Sequence, residues 1–427
     1  MARYLYSIVF TLLLPVIVVR LMLRARKAPA YSKRWWQRFG IFKGPKQCMQ
    51  KQGGIWFHTV SVGEFMAAAA MIEDVMKRYP EKLITITTTT PTGSEQVQKR
   101  FAAALGKQVF HVYLPYDLPI FLNRFLSKVS PQLLVILETE LWPNLIHCSK
   151  KAGCKVMVVN ARLSEKSAKG YHKVRLLSQP MLQQIDQLAV QNSKDAERFK
   201  NLGMPASKLQ VTGSIKFDLT IDDGVIERGR EWRNKWGSER PVICVASTHE
   251  GEDSLALREF KFIREAIPDA LLVLVPRHPE RFDSVAIEAK ILGWELARKS
   301  SDNINQRSQV ILVDTMGELL DFLAASDICV MGGSFVDTGA HNPLEPAALS
   351  VPIIMGPSQF NFAVICQQLE QAGGLRTIKA SQLDTTIIEW LKDAELRQRK
   401  GEAAKQVMEA NRGAKQYVLR LIEQQLN

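Results

Sequence analysis

The sequence predicts an α/β protein built from two doubly wound domains, each a parallel sheet with helices on both faces. Three observations predict it. From residue 54 onward, short runs rich in Val, Ile and Leu alternate with amphipathic stretches, the pattern of strand–helix–strand units. These runs are apolar throughout rather than alternating, as strands buried on both faces require. A polar, charged interval from Asp218 to Ser238 breaks the alternation, and a second series opens after it. With 427 residues, 46% of them hydrophobic, the chain is long enough for two or three separate cores.

The chain begins with an apolar run, residues 4–19, continued past Arg20 to Leu23. As a helix, residues 4–19 span about 24 Å, and residues 4–23 with Arg20 snorkelling span about 30 Å. That length either crosses a bilayer or embeds steeply in one leaflet. A cleaved signal peptide would want small residues next, and the chain offers Arg24-Ala25-Arg26-Lys27 instead. The cations follow the apolar run, so the positive-inside rule assigns what comes after Arg20 to the cytoplasm. The charge map agrees. There are 56 Lys and Arg against 43 Asp and Glu, a net +13, yet the first acidic residue is Glu64. Eleven cations precede it (Arg3, Arg20, Arg24, Arg26, Lys27, Lys33, Arg34, Arg38, Lys43, Lys46 and Lys51), leaving 45 cations and 43 anions in the rest. The excess is one N-terminal block, which argues against a nucleic-acid-binding surface. Trp35, Trp36, Phe39, Ile41 and Phe42 interleave with Lys33, Arg34, Arg38 and Lys43, a mixture suited to the headgroup zone of anionic lipid. The competing reading is a basic helix packed on its own domain.

Strand candidates of the first series are 55–60, 83–89, 109–114, 133–137, 155–159, 187–191 and 209–212, with helical periodicity in intervals such as 65–79 and 94–105. Those of the second series are 242–246, 271–275, 310–313, 327–331 and 352–355, and helices close the chain from 381 to 425. The expected organisation is a membrane-anchor helix over 1–27, an α/β domain with a basic collar over 28–217, a hinge over 218–240, and a second α/β domain over 241–410. A C-terminal helix over 411–427 is free to cross back to the first domain. The cysteines at 48, 148, 154, 244, 329 and 366 form no C-x-x-C pair and no His/Cys ligand spacing. Cys244 and Cys329 sit inside apolar runs and read as core residues in a reduced compartment without structural zinc.

Ligands of open parallel sheets bind beyond the carboxyl ends of the strands, so the residues after each strand decide the chemistry. In the second half these are Ser247-Thr248-His249-Glu250-Gly251, Pro276-Arg277-His278, Thr315-Met316-Gly317-Glu318, Gly332-Gly333-Ser334 and His341-Asn342-Pro343-Leu344-Glu345. Asn342-Pro343 reads as an N-cap and first-turn proline opening a helix, a ready phosphate site. Glu345 in that turn can accept from ribose hydroxyls, or simply complement the helix dipole. Arg277 places a permanent cation where a phosphate or carboxylate would sit. There is no G-x-G-x-x-G, no G-x-x-x-x-G-K-[ST] and no Asp-x-Asp, so dinucleotide oxidoreductase and ATPase readings lose their support and a metal-free nucleotide site is expected. In the first half, Glu64 opens a helix behind a tight Gly turn and is placed either as a directed general base or as a dipole-stabilised cap. Glu138 and Glu140 leave the buried run LLVIL, where capping the helix after Pro143 is their plain alternative. Lys216, just before the hinge, can reach an anionic leaving group or remain a solvated lysine.

The strings WFHTVSVGE (56–64), LETELWPN (137–144), VTGSIKFD (211–218), VPRHPERF (275–282), DTMGEL (314–319) and GGSFVDTGAHNPLEPA (332–347), with the N-terminal anchor, resemble the Kdo transferases of Gram-negative bacteria. The resemblance covers essentially the whole chain and implies a GT-B fold, two Rossmann-like domains facing a central cleft. It implies transfer of 3-deoxy-D-manno-octulosonic acid (Kdo) from CMP-Kdo to a lipid A precursor at the inner membrane, with no cofactor, no metal and no nucleic-acid partner. It makes Glu64 the general base, with Glu138 and Lys216 stabilising the transition state. Pro276-Arg277, Met316-Gly317-Glu318 and Asn342-Pro343-Leu344-Glu345 become the CMP contacts, and the anionic lipids of the inner membrane the partners of anchor and collar. Two other readings stay open: a GT-B enzyme using a UDP-sugar on another membrane lipid, and a tethered, non-catalytic nucleotide-sugar binder.

Overall fold

Two seven-stranded parallel sheets carry the chain. The computed structural model describes residues 1–45, 53–301 and 304–427, so Lys46, Cys48 and Lys51 lie outside the described residues. The described chain divides into two compact units, Met1–Lys216 with Arg412–Asn427, and Phe217–Asn411.

In the first unit the strands are β1 (Gly54–His58), β2 (Ile84–Thr88), β3 (Val109–Tyr113), β4 (Pro131–Leu137), β5 (Lys155–Ala161), β6 (Gln187–Val190) and β7 (Leu209–Val211). Their order is β3-β2-β1-β4-β5-β6-β7. Every residue of β1 and β2 is buried, because helices cover both faces. One face is built on Trp56, Leu134, Val156 and Phe125, the other on Ile55, Val135, Met71 and Ile72. The C-terminal helix, Ala414–Leu426, adds Val418, Leu419 and Ile422 to the second face.

In the second unit the strands are β8 (Val242–Thr248), β9 (Leu271–Pro276), β10 (Leu296–Arg298), β11 (Val310–Leu312), β12 (Ile328–Met331), β13 (Ile353–Met355) and β14 (Leu375–Thr377), ordered β10-β11-β9-β8-β12-β13-β14. The two strands absent from the sequence reading, β10 and β14, are the edges of this sheet. Each has three residues and an Arg, Arg298 or Arg376, so neither presents an apolar run; short, charged edges resist pairing with other chains. The polar interval read as part of a connector contains the helix Asp223–Trp236, capped by Asp222. It packs within the second unit: Trp232 and Trp236 lie near-parallel to Phe322, and Arg228 forks onto Asp321 at 2.8 and 2.9 Å.

In both sheets the winding reverses once, between β1 and β4 and between β8 and β12. Those two switch points are where open α/β sheets take ligands.

Five cysteines, Cys148, Cys154, Cys244, Cys329 and Cys366, are free and buried. The collar corrects the headgroup reading at two positions. Arg38 is buried, donates to the Thr89 carbonyl at 2.7 Å and stands over the Tyr113 ring. Arg34 bonds Ser94 Oγ and the His111 carbonyl. Aromatic partners and unsatisfied carbonyls within the unit draw these two guanidiniums inward, while Lys33 and Lys43 remain exposed.

Candidate active site

At the first switch point, β1 runs through Thr59 and Val60 into the helix Val62–Arg78. Ser61 caps that helix, its hydroxyl accepting from the Glu64 amide at 3.3 Å. The Glu64 carboxylate folds back, accepting from Ser61 Oγ at 2.9 Å and from the Val60 amide at 2.8 Å. This resembles a capping box, except that the backbone amide accepted is that of Val60, one place before the cap, so the structural role of Glu64 is present. Capping does not account for its electrostatics. Burial pushes the Glu64 carboxyl up to about 7 against the pull of both hydrogen bonds, and the charges of Glu138 and Glu140 push the same way. A carboxyl so placed ionises near neutrality, as a general base should.

Glu138 directly follows β4 with φ +56°, a left-handed conformation that strains a residue with a β-carbon. The turn aims its carboxylate at two cations: Lys216 Nζ lies 2.9 Å from Oε1 and Arg162 Nε 3.3 Å from Oε2. Lys216 stands in the single turn Ile215–Asp218. That turn is fixed because the Ile215 amide donates to Asn160 Oδ1 at 3.2 Å, from another left-handed residue at the end of β5. Glu140 accepts from Trp142 Nε1 at 3.1 Å, and burial raises its carboxyl. Glu64, Glu138 and Lys216 are therefore brought to one place, along with Arg162 and Glu140.

At the second switch point, Gly332 after β12 meets Ser247 at the end of β8. A β-carbon on Gly332 would stand 2.4 Å from the Ser247 carbonyl oxygen, and Ser247 itself has φ +56°. The next loop is held by one carboxylate: Glu252 accepts from the amides of His249, Gly333, Ser334 and Phe335 at 2.7–3.1 Å. These amides would otherwise be an anion nest; with Glu252 in it, the permanent cation of the next strand exit is Arg277. Arg277 follows β9, its amide tied to the Thr248 carbonyl at 3.0 Å. Its charge acts on Glu345 and His341. Burial raises the Glu345 carboxyl, opposed by the Asn342 amide at 3.4 Å and by Arg277. The helix after Pro343 is a single turn, Leu344–Ala348, with Pro343 at its cap and Asn342 one place earlier, accepting from the Leu344 amide at 3.2 Å. This corrects the expected cap by one residue and leaves only a short dipole. Met316 is exposed and Gly317 has φ +93°. Partial burial works to raise the Glu318 carboxyl, but Lys299, 2.8 Å away, and the Thr315 hydroxyl hold it below the usual range. Arg277, Asn342 and Glu345 are thus together, with Pro276 buried at the end of β9, while the Glu318 side chain turns to Lys299 beyond β11.

Sequence reasoning passed over the histidines between these groups. His249 and His341 lie with Nε2 atoms 2.8 Å apart, ring planes within 2° and centroids 5.0 Å apart. Two imidazoles in one plane, edge to edge, share a single proton. Burial pushes His341 down to about 4, helped by Arg277, and lowers His249, so the pair is neutral at pH 7. His278 stands edge-on to His249 at 5.5 Å. All three follow strands, and that position was their only signal. Among the described residues, no three His, Cys, Asp or Glu side chains are grouped to hold a metal.

The 3-deoxy-D-manno-octulosonic-acid transferase (kdotransferase) family model matches residues 33–219. A 3-deoxy-D-manno-octulosonic acid transferase of Haemophilus influenzae is 40% identical over 99% of this chain and 98% of its own. One of Bordetella pertussis is 32% identical over 99% of both. The chain belongs to the 3-deoxy-D-manno-octulosonic acid transferase family. It is therefore a glycosyltransferase, and solved structures agree on its fold. A UDP-GlcNAc 2-epimerase of Neisseria meningitidis bound to UDP-GlcNAc is 12% identical with a TM-score of 0.58, covering 87% of this chain and all of its own. A glycosyltransferase of Rickettsia africae is also 12% identical, with a TM-score of 0.55 and coverage of 88% and 99%. The fold of the family member described here is the GT-B type, two doubly wound sheets.

Proposed function

We propose that this family member transfers Kdo from CMP-Kdo to a lipid A precursor, a tetraacyl disaccharide bisphosphate, at the cytoplasmic face of the inner membrane and without a metal. The mechanism rests on one observation, a Glu64 carboxyl at the first switch point that is pushed to about 7. Ionised Glu64 takes the proton of the acceptor hydroxyl as its oxygen bonds the anomeric carbon of Kdo. The bond from that carbon to the phosphate oxygen breaks, and CMP leaves with the electron pair. Positive charge builds at the anomeric carbon and negative charge on the phosphate. Glu138, oriented by Lys216 and Arg162, supplies a fixed carboxylate for the first. Arg277 supplies a permanent cation for the second, with Glu345 left for the ribose hydroxyls and the loop at Met316-Gly317 for further CMP contacts. End-to-end identity to transferases named for this sugar supports the choice of Kdo. The exposed apolar N-terminal helix supports the membrane site.

The test is direct. Protein incubated with CMP-Kdo and the tetraacyl precursor should yield a product heavier by one or more Kdo units, with one CMP released per unit. Release of UDP from a UDP-sugar on a membrane lipid, with CMP-Kdo inert, would replace this reading. Binding without release of either nucleotide would make the chain a non-catalytic binder.

A further inference from the structure

The N-terminal helix, Ala2–Lys27, is 26 residues long, about 39 Å, which exceeds the roughly 30 Å of a bilayer's hydrocarbon core. Length alone therefore favours crossing. Its contacts do not. Arg3 Nη1 donates to Asn144 Oδ1 at 2.9 Å, and Asn144 Nδ2 donates to Ser7 Oγ at 2.9 Å. Tyr6 bonds Asp117. Asn144 has no exposed surface and is itself fixed, its own amide and that of Leu145 donating to the Asp117 carboxylate at 3.1 and 2.7 Å. The first two turns of the helix are thus bonded to the helix Pro143–Lys151 of the first unit. The last turns belong to the same unit: Arg24 lies 4.4 Å over the Tyr31 ring in the segment that leads to buried Arg38.

The two faces of the helix divide accordingly. Residues 3, 7, 10, 14, 17, 21 and 25 are partly covered, a single stripe at helical spacing. The opposite stripe, Leu5, Ile8, Leu12, Val16, Val19 and Leu23, is exposed. Leu176, 85% exposed, extends this apolar surface beside the first residues of the helix. Arg20, Arg26 and Lys33 stand exposed at the other end. A helix whose first two turns are bonded to the globular unit, and whose last turn runs on into the chain of that same unit, cannot carry its first residues through the hydrocarbon core.

We infer that the N-terminal helix is a one-leaflet anchor: it lies along the first unit, buries its outer stripe in a single leaflet of an anionic bilayer, and keeps its first residue on the same side as the globular units. The inference rests on the membrane reading proposed above. Its occupant is lipid, because the stripe is apolar over the full helix and the adjoining charges are all cationic, complementing anionic headgroups.

The test uses the full chain with Cys48→Ser, since burial pushes the other five thiols well up and leaves them unreactive. Single cysteines are introduced as Ala2→Cys and, on the exposed helix Glu165–Lys173, as Ser167→Cys. Membrane-impermeant maleimide is then applied to sealed vesicles of either orientation, after flotation on vesicles with anionic lipid. Both cysteines should label from the same side, at least tenfold faster than from the other. Labelling of Ala2→Cys from the opposite side, or only after detergent, would overturn the one-leaflet anchor while leaving membrane attachment in place. Failure to float would instead remove the membrane reading itself.

Discussion

Glu64→Gln separates the two roles that the structure places on one side chain. As a cap, Glu64 contributes two accepted hydrogen bonds, from Val60 N and Ser61 Oγ. Glutamine keeps a carbonyl acceptor of the same shape and no longer needs a buried charge, so the loss of stability should be about 1 kcal/mol or less. As a general base, Glu64 should account for 10²–10⁴ in turnover, about 3–5 kcal/mol of transition-state free energy. The two expectations differ by two orders of magnitude or more in kcat. The pH profile adds a second reading. With its carboxyl at about 7, Glu64 is about one tenth ionised at pH 6 and nine tenths at pH 8. In the parent, kcat/KM should fall about tenfold per pH unit below 7, and the residual rate of the variant should lack that limb. CMP affinity should be unchanged, because the proposed nucleotide residues all lie in the second unit. CMP release measured from pH 5.5 to 8.5, with calorimetry for CMP and thermal melts, covers all three quantities. A folded variant with near-normal turnover and the same acid limb would leave Glu64 as a cap alone.

Arg277→Ala and Glu345→Ala should each raise the apparent donor constant, through phosphate and ribose respectively; unchanged CMP binding in both by calorimetry would place the nucleotide elsewhere. Activity should survive thorough chelation, and a loss restored by one divalent ion would refute the metal-free proposal. Two buried histidines of the first unit should work against its stability in acid. His58 and His111 are held near 4 by burial, below the 6.5 of an unfolded chain, so unfolding takes up protons. Their stability is whole above 6.5 and falls as pH drops from 6.5 towards 4, by up to about 3 kcal/mol each. The raised carboxyls of Glu64 and Asp117 act in the opposite sense, so the histidine contribution is read by difference. From pH 6.5 to 4 the urea midpoint of His111→Gln in detergent should fall less, or rise more, than that of the parent, and parallel slopes would refute the assignment. Arg38→Glu should destabilise the fold, placing a carboxylate among the Thr89 carbonyl and the Tyr113 ring, whereas Lys33→Glu should leave the melting temperature unchanged and weaken only vesicle binding.

How far the sequence is legible follows from what each feature is made of. Central strands are readable because burial on both faces demands continuous apolar runs, and β1, β2, β4, β8 and β9 lie within two residues of their expected ends. Edge strands β10 and β14 are not, since an edge needs neither length nor apolarity. The helix Asp223–Trp236 was hidden because it buries one stripe, Val225, Gly229 and Trp236, inside a segment whose other faces are charged. At the sites, Glu64, Glu138, Lys216 and Arg277 follow strands, and strand exits can be read in order. Partnerships cannot. Nothing in the spacing of His249 and His341, 92 positions apart, says that their Nε2 atoms meet, and nothing in Glu252 says that it gathers amides from residues 333–335. Arg162 directly follows β5, and nothing in the sequence says that its guanidinium meets Glu138.

The two switch points differ in charge, and the difference follows from how each sheet ends. The first collects three carboxylates, Glu64, Glu138 and Glu140, against two cations, Lys216 and Arg162. Both cations sit on Glu138; among the described residues Glu64 and Glu140 have no direct ion pair, and both rise by burial. An elevated carboxyl is thus a product of which carboxylate the cations choose. That choice is fixed by backbone: the left-handed turn at Glu138 and the Asn160 bond under Lys216 leave little freedom to rearrange. The second switch point does the reverse. The carboxylate among its loop amides, Glu252, is spent on the backbone, and burial lowers His249 and His341 beside a permanent cation. In the proposed reading an anionic nucleotide meets Arg277 beside Glu345, whose own ionisation burial opposes. The first unit thus holds a raised carboxyl beside one that two cations pair, and the second a permanent cation beside a carboxyl that burial raises.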